Sequence, residues 1–207
     1  VAVLGHAMMV NRRTMDYHED QGLGSHLSRA GLRVLNFDLR GHGKSRPNVR
    51  EGCSFTYDDI VQHDIPAMVA CARETFPGAP VFLVGHSLSG HAAILQAGLC
   101  PDEAPDGIVA LAPNFWIPRL EPSWPRRLLK GTILRLWLAY SRYHGYFDSA
   151  KLGMGPEAEP ISYVQQFHHM FRQDEICSLD GETSYESLLH RCTLPILIYA
   201  SVADRLL

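Results

Sequence analysis

Short apolar runs alternate with amphipathic stretches along the first half of the chain. The apolar runs are bounded by glycine, proline or polar residues, which is typical of buried parallel strands. The stretches between them carry apolar residues at helical spacing. The predicted strands are 1–5, 32–38, 81–84, 107–112 and 194–200. The predicted helices lie within 17–30, 57–76, 91–99, 124–143, 161–172 and 182–191.

This alternation indicates an α/β fold. Short connections between strand and helix predict a mostly parallel sheet with helices on both faces. From Pro113 onward prolines interrupt the chain and the pattern becomes helical. We therefore expect residues 113–192 to form a helical cap, inserted before the last predicted strand. Residues 1–112 and 193–207 are expected to form an incomplete core that holds the sheet.

The stretch 81–90 carries the strongest chemical signal. The predicted strand is followed by a sharp turn with Ser87 at its centre, and then by good helix formers. A strand, a tight turn with a central serine and a helix form a nucleophile elbow, which exposes the serine hydroxyl at the helix N-terminus. The alternative is an ordinary strand–turn–helix unit with a surface serine.

The elbow requires small residues on both sides of the serine, because the helix crosses close to the strand there. Gly85 meets this requirement two residues before Ser87. Ser89 stands two residues after it, where glycine is usual, and Gly90 follows. His86 and Leu88 complete the turn.

Composition excludes several classes of protein. The 207 residues fit one domain, and a hydrophobic share of 46% with 20% charged residues is that of a globular protein. The net charge of −3 gives no sign of a nucleic-acid partner. Five scattered cysteines without a C-x-x-C motif favour free thiols in a reducing compartment, and hence a cytoplasmic location. The chain has neither a signal peptide nor an apolar run of about 18 residues.

Both ends of the chain suggest a longer parent domain. The sequence begins inside an apolar strand without an initiator methionine, and it ends just after another predicted strand. We expect a fragment that is truncated at both ends.

Together, these motifs resemble the α/β-hydrolase superfamily over nearly the whole chain. Ser87 matches the elbow serine, and residues 5–8 (GHAM) are similar to the oxyanion loop of the family, with His6 as its histidine. Residues 38–45 (DLRGHGKS) are similar to the D-x-R-G-x-G-x-S stretch of the monoglyceride-lipase, lysophospholipase and serine-aminopeptidase-like branch. Asp204 falls where the family carries its catalytic acid. The chain departs from the family pattern at Ala7, Ser89 and Ser201, where one small residue replaces another.

The resemblance implies a mechanism. Ser87 is the nucleophile, Asp204 orients the catalytic base, and the backbone N–H groups of Met8 and Leu88 bind the oxyanion. No metal and no organic cofactor is implied. The family's histidine follows the acid, and no histidine follows Asp204 here. We expect the base after residue 207, so that this chain alone is inactive.

The leading hypothesis is a serine hydrolase that acts on small carboxylic esters. An acyltransferase or a peptidase on the same fold is the alternative, since either uses the same acyl-enzyme. A non-catalytic binding protein is a further alternative, because the histidine is absent. The oligomeric state stays open.

Three other features favour structural roles. The turn chemistry of residues 38–45 indicates that Asp38 and Arg40 brace a loop. The basic helix 124–143 is interrupted by charges and so does not span a membrane. We expect it to pack onto the domain, with weak contact with a membrane surface as the alternative. His168 and His169 are adjacent on a helix and point apart, which argues against a metal site there with Asp174.

Overall fold

A parallel sheet forms the centre of the molecule. The computed structural model describes residues 1–18 and 21–201. The strands of the sheet are β1 (Ala2–Gly5), β2 (Val34–Asn36), β3 (Phe82–His86), β4 (Gly107–Leu111) and β7 (Ile196–Tyr199). They lie in the order β2-β1-β3-β4-β7, and every neighbouring pair is parallel. The predicted α/β class is confirmed, although β2 and β7 are three to four residues shorter than their apolar runs.

Helices and one small strand pair complete the fold. The helices are α1 (Leu23–Arg29), α2 (Tyr57–Asp59), α3 (Ile65–Thr75), α4 (Leu88–Leu99), α5 (Trp124–His144), α6 (Ile161–Gln173) and α7 (Tyr185–Leu188). The strand pair is antiparallel and joins β5 (Tyr146–Phe147) to β6 (Glu159–Pro160). None of the helices in the described ranges is both long and apolar enough to cross a membrane.

Alternate residues of the strands face two hydrophobic clusters. Val3 of β1 and Leu83 of β3 belong to the larger cluster, which includes apolar residues of α3 and α4. Leu4 and Val84, the next residues along, belong to a smaller cluster against which Leu23 of α1 packs. The period of two along β1 and β3 therefore places apolar side chains on both faces of the sheet.

The predicted helix at 57–76 is divided in the structure. Thr56 caps α2 through a hydrogen bond to the backbone N–H of Asp59, and a π-helical turn over 60–64 separates α2 from α3. Pro66, at the start of α3, has no N–H to donate to the carbonyl of Gln62. The turn widens at this point, and the N–H of Ile65 reaches back to the carbonyl of Ile60.

Residues 112–195, which we call the insertion, connect β4 to β7. They contain α5, α6 and α7, and α5 packs against α6. The β5–β6 pair was not predicted, because strands of two residues are too short to show a period. The helix predicted at 182–191 is shorter: α7 ends at Leu188 and a 3-10 turn follows over 189–191.

Candidate active site

The register of the sheet brings the predicted site segments to one edge. Gly5 of β1 lies opposite Gly85 of β3, so the loop that begins at His6 and the turn at Ser87 leave the sheet side by side. On the other side of β3, Leu111 pairs with both His86 and Tyr199 of β7.

The same edge borders an open cavity of about 530 Å³. His86, Leu111 and Ser201 are among its lining residues, so the chain after β7 leaves the sheet beside the elbow. Asp204, the predicted acid, lies outside the described residues.

Ser87 occupies a strained turn between β3 and α4. Its φ of 47° and ψ of −106° lie in a region that non-glycine residues rarely adopt. Its N–H donates to the carbonyl of Leu111 at 2.8 Å, and its own carbonyl accepts from the N–H of His91 at 3.0 Å. The side chain is half-buried. The turn is thus held from both sides while the serine stays partly accessible.

Gly85 and Gly90 make the close crossing possible. A Cβ at Gly85 would collide with the backbone nitrogen of Gly90, and a Cβ at Gly90 would lie 2.7 Å from the carbonyl oxygen of Gly85. The requirement for small residues therefore falls on positions 85 and 90. The backbone of Ser89 is part of this crossing, since the same Cβ at Gly85 would lie 2.5 Å from its carbonyl carbon, whereas its side chain lies beside Gly5.

Ser89 instead connects the elbow to the first loop. Its Oγ donates to the carbonyl oxygen of His6 at 2.6 Å, and both residues are fully buried. A Cβ on Gly5 would lie 2.5 Å from the Cβ of Ser89, so the glycine provides the space for this side chain. The replacement of glycine by serine at position 89 thus adds a hydrogen bond between two site segments.

His6 uses both ring nitrogens inside the protein. Nε2 accepts from the N–H of Leu39 at 3.0 Å, and Nδ1 lies 2.7 Å from the carbonyl oxygen of Ala7. A carbonyl only accepts, so the proton is on Nδ1 and the ring is neutral. Burial, followed by the nearby His42, lowers the pKa of His6 to about 4. His6 therefore shapes the loop and leaves no ring nitrogen for Ser87.

Two backbone N–H groups at this edge are the candidate donors to an anion. Leu88 is the first residue of α4, so its N–H has no acceptor within the helix. Met8 lies in the turn after β1, and its N–H has no hydrogen-bond acceptor within the described part of the chain. The arrangement can stabilise negative charge that develops next to Ser87.

Residues 38–45 form a braced loop, as the turn chemistry predicts. Asp38 accepts hydrogen bonds from the backbone N–H groups of Arg12 (2.8 Å) and Lys44 (2.9 Å). Arg40 forms ion pairs with Asp64 at 2.8 Å and Asp59 at 3.2 Å. The side chains of Asp38 and Arg40 therefore hold backbone segments together.

Sequence reasoning did not identify Glu159 and His42. Nε2 of the buried His42 lies 3.2 Å from Oε1 of the buried Glu159, and the same oxygen accepts from the N–H of Met9 at 2.6 Å. One of two glutamates in the proline-bounded segment 156–160 resembles a surface acid, so no signal in the sequence marks this contact.

The described residues contain no group of three or more His, Cys, Asp or Glu side chains that could hold a metal ion. His168 instead lines an open cavity of about 460 Å³ with Arg135, Arg142 and Arg172. Burial, and then these arginines, lower the pKa of His168. Among the described residues no acidic side chain lines this cavity, and its lining is therefore strongly cationic.

The parallel sheet, the strained serine between strand and helix, and the inserted helices before the last strand define an α/β-hydrolase fold. The chain belongs to the family described as serine aminopeptidase, S33, whose family model matches residues 4–207.

Curated relatives include monoglyceride lipases. The human enzyme is 28% identical over 193 residues, which cover 85% of this chain and 58% of that protein. A monoglyceride lipase homolog of Monkeypox virus is 35% identical over 77 residues, covering 36% of this chain and 26% of that protein. The chain thus spans less than two thirds of the length of these relatives.

Solved structures share the fold. A monoacylglycerol lipase from Paleococcus ferrophilus superimposes with a TM-score of 0.53 at 16% identity, over 96% of this chain and 83% of that chain. A metagenome-derived lipolytic enzyme superimposes with a TM-score of 0.54 at 19% identity, over 95% of this chain and 69% of that chain. At such identities the likeness establishes the fold alone.

Proposed function

We propose that the protein is a serine hydrolase that cleaves carboxylic esters of small molecules through an acyl-enzyme on Ser87. The strained conformation of Ser87 at the carboxyl edge of the sheet carries this proposal. An unfavourable backbone conformation of this kind persists only where the surrounding structure holds it, and it is characteristic of functional sites. The relatives named monoglyceride lipase support an ester as the substrate.

The chemistry follows from the groups at the edge. Oγ of Ser87 attacks the ester carbonyl carbon as a general base removes its proton, and the carbonyl oxygen becomes an oxyanion. The N–H groups of Met8 and Leu88 bind this oxyanion, and loss of one such donor typically costs about 3–4 kcal/mol. The alcohol then leaves with the proton that the base returns to it. Water, activated by the same base, releases the acid and regenerates the serine.

We assign the base to a histidine that follows residue 207, with Asp204 as the acid that orients it. Two histidines near the turn at Ser87 support this assignment, because hydrogen bonds occupy both ring nitrogens of His6 and Nδ1 of His91. His6 has both ring nitrogens in hydrogen bonds, and Nδ1 of His91 lies 2.6 Å from the hydroxyl of Tyr57. Burial lowers the pKa of His91 to about 3. On this proposal residues 1–207 alone do not hydrolyse esters.

Residues 113–192 of the insertion are proposed to act as a cap over the site. Its contact with the first loop supports this role: the N–H of Glu157 donates to the carbonyl of Met9 at 3.0 Å. In this fold the substrate pocket would lie between the cap and the edge of the sheet.

A fluorophosphonate probe tests the proposal. The protein translated from its complete reading frame is expected to be labelled on Ser87, and Ser87→Ala is expected to abolish labelling. A protein that hydrolyses monoacylglycerols but forms no adduct on Ser87 would contradict the proposed mechanism. A catalytically silent, unlabelled protein would favour the non-catalytic binding protein instead.

The family description makes a peptidase the main alternative. Comparison of a monoacylglycerol with an aminoacyl amide as substrate distinguishes the two activities. Acyltransfer is detected by adding acceptor alcohols and analysing the products for new esters.

We also propose a cytoplasmic protein whose helix α5 contacts membrane surfaces weakly. The cysteines of the described residues are unpaired, which supports a reducing compartment. Leu128, Leu129 and Leu136 of α5 are exposed, and Arg135 and Arg142 lie beside them. Exposed leucines beside cations are typical of a helix that lies on an anionic lipid surface.

A further inference from the structure

A carboxylate from the insertion is buried beside the loop that carries Met8. Glu159 belongs to β6 and is fully buried. Its Oε1 accepts a hydrogen bond from the N–H of Met9 at 2.6 Å and lies 3.2 Å from Nε2 of His42. Its Oε2 has no partner among the described residues. Both hydrogen-bonding contacts of the Glu159 side chain therefore involve Oε1.

The His42 ring is the counter-ion of this carboxylate. Nδ1 lies 2.7 Å from the carbonyl oxygen of Arg40, which can only accept, and Nε2 faces Glu159. Both nitrogens are thus donors, as in an imidazolium. Burial alone would lower the pKa of His42, but the adjacent Glu159 raises it to about 9. A buried carboxylate without a partner is strongly unfavourable, and His42 removes that penalty.

The insertion also fixes the backbone of Met9 itself. Met9 has a φ of 63°, which is rare for a residue with a side chain. Its N–H is bound by Glu159, and its carbonyl accepts from the N–H of Glu157 at 3.0 Å. A Cβ at Gly155 would collide with that carbonyl, so the insertion backbone approaches very closely here. Since the N–H of Met9 belongs to the peptide unit that follows Met8, these contacts restrict the backbone on the C-terminal side of Met8.

We propose that Glu159 is a positioning residue of the active site and that His42 is its counter-ion. Together they hold the loop 6–10 in the conformation in which the N–H of Met8 binds the oxyanion. The inference rests on the proposed hydrolase function and deepens it. The oxyanion hole is then completed by the insertion, and a displaced insertion would leave it poorly formed.

Amide hydrogen exchange in the full-length protein tests the positioning without any need for activity. The Met9 amide is expected to be protected in the wild type and in Glu159→Gln, where an oxygen acceptor remains. It is expected to exchange about 100-fold faster in Glu159→Ala, relative to the amides of β3. His42→Asn provides a second variant that removes the counter-ion, and we expect at least about 10-fold faster exchange.

A second ion pair between the insertion and the core is the matched control. Asp148 is buried and lies 2.9 Å from the guanidinium of Arg50. Asp148→Asn disturbs the insertion to a similar extent but leaves the Met9 hydrogen bond intact, so its loop exchange should match that of the wild type. Continued protection of the Met9 amide in both Glu159→Ala and His42→Asn would overturn the proposal.

Steady-state kinetics on an ester then test the catalytic consequence. Glu159→Ala is expected to lower kcat about 100-fold with little change in KM, because the oxyanion interaction exists only in the transition state. Glu159→Gln should recover most of this loss. A change in KM alone, or a glutamine variant as slow as the alanine variant, contradicts the positioning role.

A wild-type protein without hydrolase activity refutes the proposed function. The hydrogen-exchange measurement still decides in that case whether Glu159 positions the loop 6–10.

Discussion

The hydroxyl of Ser89 donates a hydrogen bond to the backbone carbonyl of His6 across 2.6 Å, and this bond joins the turn at Ser87 to the first loop. The two residues are 83 positions apart in the chain and meet because β1 and β3 are neighbours. The candidate nucleophile and one candidate oxyanion donor are therefore held in a fixed relation by a buried side chain.

Gly5 and Ser89 are expected to behave as a coupled pair. Gly5→Ala should lower the free energy of unfolding by about 1–3 kcal/mol, because its Cβ would lie 2.5 Å from the Cβ of Ser89. Ser89→Gly should cost a similar amount, since a buried carbonyl loses its donor. The double variant Gly5→Ala/Ser89→Gly should lose less free energy of unfolding than the two single variants lose together. Urea unfolding measures all three variants.

Ser89→Ala provides the control for this cycle. It removes the hydroxyl but keeps the Cβ, so it should not relieve the collision that Gly5→Ala creates. If the losses of unfolding free energy in Gly5→Ala and Ser89→Gly simply add up in the double variant, positions 5 and 89 are independent and the coupling is refuted.

Ser87 illustrates a conflict between stability and proposed function. Its positive φ of 47° costs a residue with a Cβ about 1–3 kcal/mol, whereas glycine adopts such conformations freely. Ser87→Gly should therefore be more stable than Ser87→Ala by about 1 kcal/mol, after the entropy cost of glycine. Neither variant should react with a fluorophosphonate. Thermal unfolding decides the order, and an alanine variant that is the more stable one would show that the turn is not strained.

The sheet and the strand–turn–helix unit around Ser87 were predictable because both depend on local pattern. Short apolar runs identify buried strands, and a strand, Ser87 and good helix formers identify the turn. The sequence also suggested that Ser89 replaces a structural glycine. The structure assigns that role to Gly90 and gives Ser89 a hydrogen bond that no local pattern indicates.

The contact between the insertion and the first loop was not predictable in the same way. Met9 and Glu159 are 150 residues apart, and the segment around Glu159 has no recognisable period. The π-helical turn before Pro66 arises because proline lacks an N–H. The spacing of apolar residues along the sequence does not reveal this local change. The parts that sequence reasoning missed are thus the long-range polar contacts and the local defects.

His42 should make the stability of the protein depend on pH. Burial alone would lower its pKa, but Glu159, followed by the carbonyl of Arg40 and by Glu157, raises it from 6.5 to about 9. The adjacent His6 ring is neutral because its own pKa is lowered. The stabilisation is fully present below pH 6.5 and is lost as the pH rises through 9. We expect a loss on the order of 1–3 kcal/mol across this range.

Urea unfolding at several pH values between 6.5 and 9.5 measures this loss. His42→Asn is less stable at neutral pH but should lack this part of the dependence, because asparagine does not titrate. Parallel curves for the two proteins would mean that His42 is not charged in the folded state.

Helix α5 should determine the affinity for anionic vesicles. At 100° per residue, the exposed side chains of Leu128, Leu129 and Leu136 share one side of the helix, away from the buried Leu134. Burying each leucine in the interface is worth roughly 1.5–3 kcal/mol. Leu128→Gln/Leu129→Gln should thus lower binding to phosphatidylglycerol vesicles by at least about tenfold in a sedimentation assay. Leu152→Gln changes an exposed leucine outside α5 and should leave binding unchanged. If both variants bind like the wild type, α5 does not contact the membrane, and its exposed leucines must have another role.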